Sequence, residues 1–446
     1  MTTESQPVEV TESSQVTTPT TSDIALDTEQ EQAVVLCMDM SKRIVSVTGP
    51  AGTGKTTILK TTYARYIEAG YSVALAALAG KAAKRINEVT GFPATTVHRL
   101  LEFSHPGDIN PDTGKTFGVA VPRRNMNNRL EQDVIFVDEY TMVNHDLHRD
   151  LLDAMKPGSL LRCFGDINQL PPIEENKVVA QQPSPFKDIL TRFPSVILKK
   201  LHRQGEGSDI AVNASRILYG MCPVRKPNFE LCITNDPVNK IKELIVDNPN
   251  VDFQSVKNQI ITPQNKSWIG TTALNAGLQP MFHETMAGAI SVPRHKYRSF
   301  KTGKFVEEPP FFAKENDKVI WTKNDYNLNI YNGEAGIITK INGDGSMEID
   351  FGDRTEAIPC VVVYHEKGEE KWYDPRKVIY PAYAITTHKS QGSEYEHVIY
   401  VLNKSAYMML NRANFYTAVT RARKYVWLVT DAQSMQTAAS TTRSRI

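Results

Sequence analysis

Gly49-Pro50-Ala51-Gly52-Thr53-Gly54-Lys55-Thr56 follows directly on the apolar run Ile44-Val45-Ser46-Val47. The spacing is G-x-x-x-x-G-K-[ST], set between a strand-like run and a helical pattern. Its glycines let successive backbone N–H groups turn inward around the β- and γ-phosphates of a nucleoside triphosphate. Lys55 adds a mobile positive charge, and the Thr56 hydroxyl can ligate Mg²⁺. The expected nucleotide-binding residues are therefore Gly49, Pro50, Ala51, Gly52, Thr53, Gly54, Lys55, Thr56 and the adjoining Thr57.

Outward from this loop, short apolar runs alternate with helical patterns: Ile44 to Val47, Ile58 to Ala69, Val73 to Ala77, Ala82 to Val89. That alternation predicts βαβ units and a parallel sheet. A second series runs from about Ser255 to Ile261 and resumes at Ala382 to Val429, which predicts a second α/β domain. Two insertions interrupt the pattern. The first, about 104–130, carries the turn cluster Asn110-Pro111-Asp112-Thr113-Gly114-Lys115 between Ile109 and Phe117 to Val121, and reads as a β-hairpin. The second, about 281–380, holds Lys318 to Trp321, Gly336 to Ile338, Met347 to Asp350 and Pro359 to Val363 as short strands, the spacing of a small β-barrel. Residues 1–22 lack aromatics and any sustained period, so they cannot bury enough surface to offset ordering entropy and are expected to be a disordered tail.

The 446 residues, 41% of them apolar, suffice for several buried cores. Lys and Arg total 51 against 50 acidic residues, so any site for a polyanion must be local. The five cysteines show neither C-x-x-C pairs nor metal-ligand spacing with His, as expected of reduced thiols in a cytoplasmic protein. No apolar run approaches a membrane span and the N-terminus lacks a signal-peptide layout, so no membrane partner is expected.

Hydrolysis of the triphosphate requires carboxylates opposite the loop, and Asp133-Val134-Ile135-Phe136-Val137-Asp138-Glu139 ends an apolar strand in two of them. Asp138 suits Mg²⁺ ligation, while Glu139 suits polarisation of the attacking water. In Cys163-Phe164-Gly165-Asp166-Ile167-Asn168-Gln169, the Gln169 amide can both donate and accept, and so can sense the γ-phosphate. Arg203 in Leu201-His202-Arg203-Gln204 and Arg421 in Val419-Thr420-Arg421 carry guanidinium groups suited to the charge on a transferring phosphoryl group. Thr386-Thr387-His388-Lys389-Ser390-Gln391-Gly392 is a polar run after a strand, able to bond phosphate oxygens without reading bases. Phe117, near the hairpin tip, can stack on a base or pack the hairpin onto its domain.

Taken in order, Gln30 in Leu26-Asp27-Thr28-Glu29-Gln30, the phosphate loop, Gly80 to Arg85, Thr95 to Leu100, Asp138-Glu139, Gly165-Asp166 with Gln169, Arg203, Thr386 to Gly392 and Val419-Thr420-Arg421 resemble superfamily 1 DNA helicases. The resemblance is to their RecD-like subclass and, within it, to the Dda-type helicases of T-even bacteriophages. It covers Ile24 to Thr430. The resemblance implies two RecA-like domains, 23–200 and 201–446, with ATP between them and single-stranded DNA crossing both in the 5′ to 3′ direction. It makes the hairpin the pin that splits the duplex and the barrel an SH3-like insertion. It implies that Gln30 reads the adenine, Lys55 and Thr56 the phosphates and Mg²⁺, that Arg203 and Arg421 are arginine fingers, and that His98, His388, Lys389 and Gln391 lie on the DNA path.

Implied partners are single-stranded and forked duplex DNA, with single-strand binding protein or replisome components as further candidates in phage-type replication or recombination. Two departures stand out: Leu78-Ala79 replaces the usual Pro-Thr before Gly80, and Tyr140-Thr141 brings bulk after the carboxylates. A nucleotide-switched DNA-binding protein and an RNA helicase remain open alternatives, since phosphate contacts do not distinguish sugars.

Overall fold

The computed structural model describes residues 25–104, 120–174, 176, 178–202, 208–294, 296–298, 305–307, 311–325, 327–328, 330–366 and 369–442. The expected tail at 1–22, the hairpin tip with Phe117, and Arg203 lie outside the described residues.

The apolar runs around the phosphate loop form a six-stranded parallel sheet. Its order is Thr95–Thr96, Val73–Ala77, Val134–Asp138, Leu160–Gly165, Ile44–Thr48, Ser195–Ile197. The central strands are buried along their whole length, which is why they read as continuous apolar runs rather than alternating ones. One face packs on Ile58, Tyr63 and Ile86, the other on Leu147, Leu151 and Phe186. The loop strand Ile44–Thr48 thus lies inside the sheet, and the carboxylate strand Val134–Asp138 ends at the same edge.

A second parallel sheet, five-stranded, runs Ala384–Thr386, Asn258–Thr262, Tyr395–Leu402, Ala422–Thr430, Phe229–Ile233. The last of these strands escaped the sequence reading. It is an edge strand paired on one side only, and with just Phe229 and Cys232 buried its apolar signal is weak.

The second insertion is antiparallel, with the order Thr355–Ile358, Met347–Asp350, Ala335–Ile341, Lys318–Trp321, Ile379–Pro381. It has its own core of Trp321, Ile338, Met347, Ile349 and Ile358. The run expected at Pro359 to Val363 is instead a strand over Val362–Glu366, paired with Glu369–Tyr373. The insertion is tied to the second parallel sheet through buried Asp317, which accepts from His283, Tyr383 and Gln279 at 2.7 Å each. It also reaches the first half of the chain. Arg99 bonds the Tyr331 hydroxyl at 3.0 Å, Lys84 pairs with Asp353, and the Tyr331 ring lies over Gly80. The first insertion closes at its base, where the Ser104 and Val121 backbones bond at 2.8 Å beside an antiparallel bridge of Phe103 with Pro122.

One buried charge fixes the helix that carries Gln30. Arg162 is fully buried on the strand Leu160–Gly165, yet its guanidinium caps the end of the helix Thr28–Met38. It donates to Cys37 O at 2.6 Å and to Asp39 O at 3.2 Å, and also to Lys42 O and the Tyr66 hydroxyl. Carbonyls at a helix end need such donors, and the helix dipole favours a cation there. Arg162→Met is expected to destabilise the chain by about 3 kcal/mol, because the stem volume is kept while buried acceptors lose their donors. Denaturant unfolding checks this, and a change under about 0.5 kcal/mol would mean that water replaces the guanidinium.

Candidate nucleotide site

The phosphate loop lies between Thr48 and the helix Lys55–Glu68. Gly52 and Gly54 both take φ of 86°, a left-handed conformation that costs a side-chain-bearing residue strain. A Cβ on Gly54 would also lie 2.1 Å from the Gln30 amide nitrogen. Gln30 is held over the loop by its helix start. It donates its backbone N–H to Asp27 at 2.9 Å, accepts the Asp27 N–H at 3.1 Å through its amide oxygen, and extends its amide nitrogen to Thr53 O at 3.3 Å. The Lys55 ammonium bonds Gly49 O at 2.6 Å and Pro50 O at 3.0 Å, inside the loop where phosphate oxygens are expected.

Asp138 and Glu139 stand at the end of the neighbouring strand. Asp138 keeps some solvent contact but is closely surrounded by protein. That desolvation, reinforced by the adjacent Glu139 carboxylate, pushes its pKa up to about 6, against the pull of the Glu139 N–H, Lys55 and Arg85. In linkage terms this raised pKa favours the folded chain fully below the ordinary carboxylate range. The contribution is lost as pH rises through about 6. A cation beside Asp138 would offset the cost of ionising it. Glu139 has φ of 52°, a left-handed backbone that costs about 1 kcal/mol or more outside glycine.

The donor set fits a nucleoside triphosphate with Mg²⁺. The loop offers N–H groups and one ammonium, and Thr56 and Asp138 offer the hard oxygens that Mg²⁺ takes. The Tyr140 bulk that departs from the family pattern is absorbed in the core, where its hydroxyl meets His148 Nδ1 at 2.8 Å. The Thr141 hydroxyl ties the carboxylate strand to the next one, donating to Asp166 O and accepting from Asp166 N–H at 3.1 Å each.

Gln169 is buried, and its amide oxygen meets no hydrogen-bond donor among the described residues, as fits a group awaiting a ligand or water. The second half of the chain reaches this turn directly. Tyr416 donates to Asp166 Oδ2 at 2.6 Å, the Leu170 N–H donates to Thr417 at 2.9 Å, and the Gln391 amide donates to Leu170 O at 3.1 Å. Gln391, expected on the DNA path, is therefore buried at the contact between halves and faces protein. Arg421 is also buried. Its guanidinium is held by Thr417 O at 3.0 Å and Ser393 O at 3.2 Å, and does not extend freely toward the loop. The segment leading to Arg203 passes beside the loop, since His202 donates its backbone N–H to Gly52 O at 2.9 Å.

His98 and His388 are each largely enclosed, and burial lowers both pKa values, so both are neutral near pH 7. The His98 ring packs 4.9 Å from that of Phe103. Lys389 holds its ammonium 5.4 Å from the Tyr380 ring centre, on the wall of a cavity of about 880 Å³ between the second parallel sheet and the antiparallel insertion. Lys266, Arg294, Phe311 and Phe312 share that wall. Sequence reading missed this cavity, because its lining is drawn from segments more than a hundred residues apart. It also missed the role of Tyr416, which in sequence looks like one more aromatic in a buried helix.

Residues 30–175 match the model of a family described as an AAA domain, and residues 381–429 match that of a UvrD-like helicase C-terminal domain. The ATP-dependent RecD2 DNA helicase of Deinococcus radiodurans is 29% identical over 419 residues, covering 93% of this chain and 50% of that protein. The RecBCD enzyme subunit RecD of Mycolicibacterium smegmatis is 29% identical over 436 residues, 90% of this chain and 70% of that one. The chain thus spans half the length of the first relative. Among solved structures, Pif1 helicase from Bacteroides in complex with ADP-AlF3 and ssDNA aligns with a TM-score of 0.58 at 20% identity, covering 93% of this chain and 94% of that one. Pif1 helicase from Candida albicans aligns at 0.56 and 17% identity, covering 95% and 97%. The α/β fold with two parallel sheets is the fold of these Pif1 structures. The chain is thus similar to RecD proteins over most of its length and shares the fold of the Pif1 structures.

Proposed function

We propose that this chain is an ATP-dependent DNA helicase that moves 5′ to 3′ on single-stranded DNA and separates duplex strands, of the Dda type, serving replication or recombination. The observation that carries the reading is the direct bonding of the Asp166–Leu170 turn, beside the phosphate loop, to Tyr416, Thr417 and Gln391 of the second half. A nucleotide site built from one parallel sheet and touched by the other can convert its occupancy into relative motion of the two. In this reading 23–200 and 201–446 are the two RecA-like domains, 281–380 is an SH3-like insertion, and 104–130 is the duplex-splitting pin.

Lys55 holds phosphate charge, Glu139 takes the proton of the attacking water, Gln169 senses the γ-phosphate, and Arg203 and Arg421 approach the transferring group as the cleft closes. Thr56 and Asp138 would hold Mg²⁺, which when bound neutralises charge on the β- and γ-phosphates. Gln30 would read the adenine. DNA would run past His98, His388 and Lys389, with the stacking faces and cations of the large cavity alongside. Its partners are single-stranded and forked DNA, with single-strand binding protein or replisome components the next to examine.

Despite the near-zero net charge, affinity for oligo(dT) should fall steeply with salt, with a log–log slope of roughly −0.7 per phosphate neutralised. Lys389→Ala should make that slope shallower by about one contact. A flat salt response of the wild-type chain would remove the phosphate-gripping groove from the mechanism.

A further inference from the structure

Tyr416 is 1% exposed, yet its hydroxyl sits where the two halves meet. It donates to Asp166 Oδ2 at 2.6 Å, and its side chain shares a cleft with Ala51, a member of the phosphate loop. Pro50, Ala51, Tyr416 and Thr420 line one narrow cleft between loop and second half. The Tyr416 side chain therefore borders both walls of the nucleotide site, facing the phosphate loop across the cleft and bonding the Asp166–Gln169 turn through its hydroxyl. The turn is rigid, because Gln169 donates its N–H back to Asp166 O at 3.0 Å and Asn168 N–H donates to Asp166 Oδ1 at 3.1 Å. Burial and the facing carboxylate hold the phenol protonated far above its usual range, so it remains a donor at any working pH. A hydroxyl donating to a carboxylate makes one of the stronger bonds a protein can form.

The contacts continue from there. Thr417, the next residue, accepts the Leu170 N–H, and Leu170 O accepts from Gln391, which belongs to the Thr386 to Gly392 segment beside Lys389. Hydrogen bonds and short stretches of chain thus lead from the turn beside the phosphate loop to Lys389 on the wall of the large cavity.

We propose that Tyr416 is a positioning residue that links nucleotide occupancy to the grip on single-stranded DNA, by setting the second half against the phosphate loop and bonding it to the Asp166–Gln169 turn through its hydroxyl. The inference rests on the helicase reading and adds to it the group through which the two ligands communicate. Phosphate entering the loop reorganises its N–H groups, Ala51 among them. A shift of the loop or of the Asp166–Gln169 turn displaces the Tyr416 ring or its bond to Asp166, and with it the docking of the helix Arg412–Val419. Two ligands joined this way must change each other's affinity by the same factor.

The test is calorimetric titration of ADP with and without oligo(dT), on the full chain, for wild type, Tyr416→Phe, Asp166→Asn and Asp166→Ala, with thermal melting of each. In wild type the oligonucleotide should change the ADP dissociation constant by about five-fold or more. Tyr416→Phe should bring that factor close to one while each ligand still binds. Asp166→Asn, which keeps an oxygen to accept the hydroxyl, should retain most of the linkage. Asp166→Ala should lose it, and combining Asp166→Ala with Tyr416→Phe should cost no more than either alone. A merely structural role would lower the melting temperature and leave the factor alone. A linkage factor in Tyr416→Phe equal to wild type, with both ligands bound, overturns the inference and leaves the helicase reading standing. Should Tyr416→Phe not fold, equal linkage in Asp166→Asn and Asp166→Ala overturns it instead. A wild-type chain that binds no ADP overturns both.

Discussion

Lys55→Ala is expected to lower ATP turnover by about 10²–10³-fold, the loss seen when one preorganised charge-stabilising group is removed from a developing anion. Among the described residues the ammonium bonds the Gly49 and Pro50 carbonyls of its own loop, so the melting temperature should stay within a few degrees of wild type. Measuring turnover and melting on one preparation separates the two effects. A variant that hydrolyses ATP at the wild-type rate would remove the phosphate loop from the active site, and one that unfolds would make Lys55 structural.

Glu139→Gln should behave differently. The amide preserves shape and polarity but cannot accept a proton from water, so hydrolysis should slow by about 10²–10⁴-fold while ATP binding persists. Asp138 beside it should then titrate closer to the ordinary carboxylate range, since Glu139 repulsion is, after burial, the second cause of its raised pKa. Nucleotide affinity measured with a fluorescent ATP analogue should stay within a few-fold of wild type. Loss of binding together with turnover would mean that Glu139 holds the strand end in shape and takes no part in proton transfer.

The first parallel sheet and the loop it carries were legible because their signals are local. The turn after Thr48 takes two positive-φ glycines, Gly52 and Gly54, and both stand within eight consecutive letters. Asp138 and Glu139 end a strand whose buried residues are all apolar, so the strand and its carboxylates were read together. The second parallel sheet was only partly visible. Its strands are separated by an insertion of about a hundred residues, and its edge strand Phe229–Ile233 has a single neighbour and a weak pattern.

The contacts between halves could not be read in advance, because they join residues far apart in the chain. Gln391 looked like a ligand for phosphate and bonds Leu170 O instead, 221 positions away. Arg421 was read as an arginine finger, and its guanidinium is held by two carbonyls of its own half. Tyr416 and Asp166 are 250 positions apart, and neither residue type announces such a bond. What sequence conveys well is chemistry held within one turn or strand end. What it conveys poorly is which buried polar groups meet across a cleft.

The central claim, directional strand separation driven by ATP, is tested most directly with three matched substrates: a duplex carrying a 5′ single-stranded tail, the same duplex with a 3′ tail, and a blunt duplex. With ATP and Mg²⁺ the wild-type chain should separate the 5′-tailed duplex and leave the others largely intact, and Lys55→Ala should separate none. Separation of the 3′-tailed duplex alone, or hydrolysis of ATP on single-stranded DNA with no duplex separated, would contradict it.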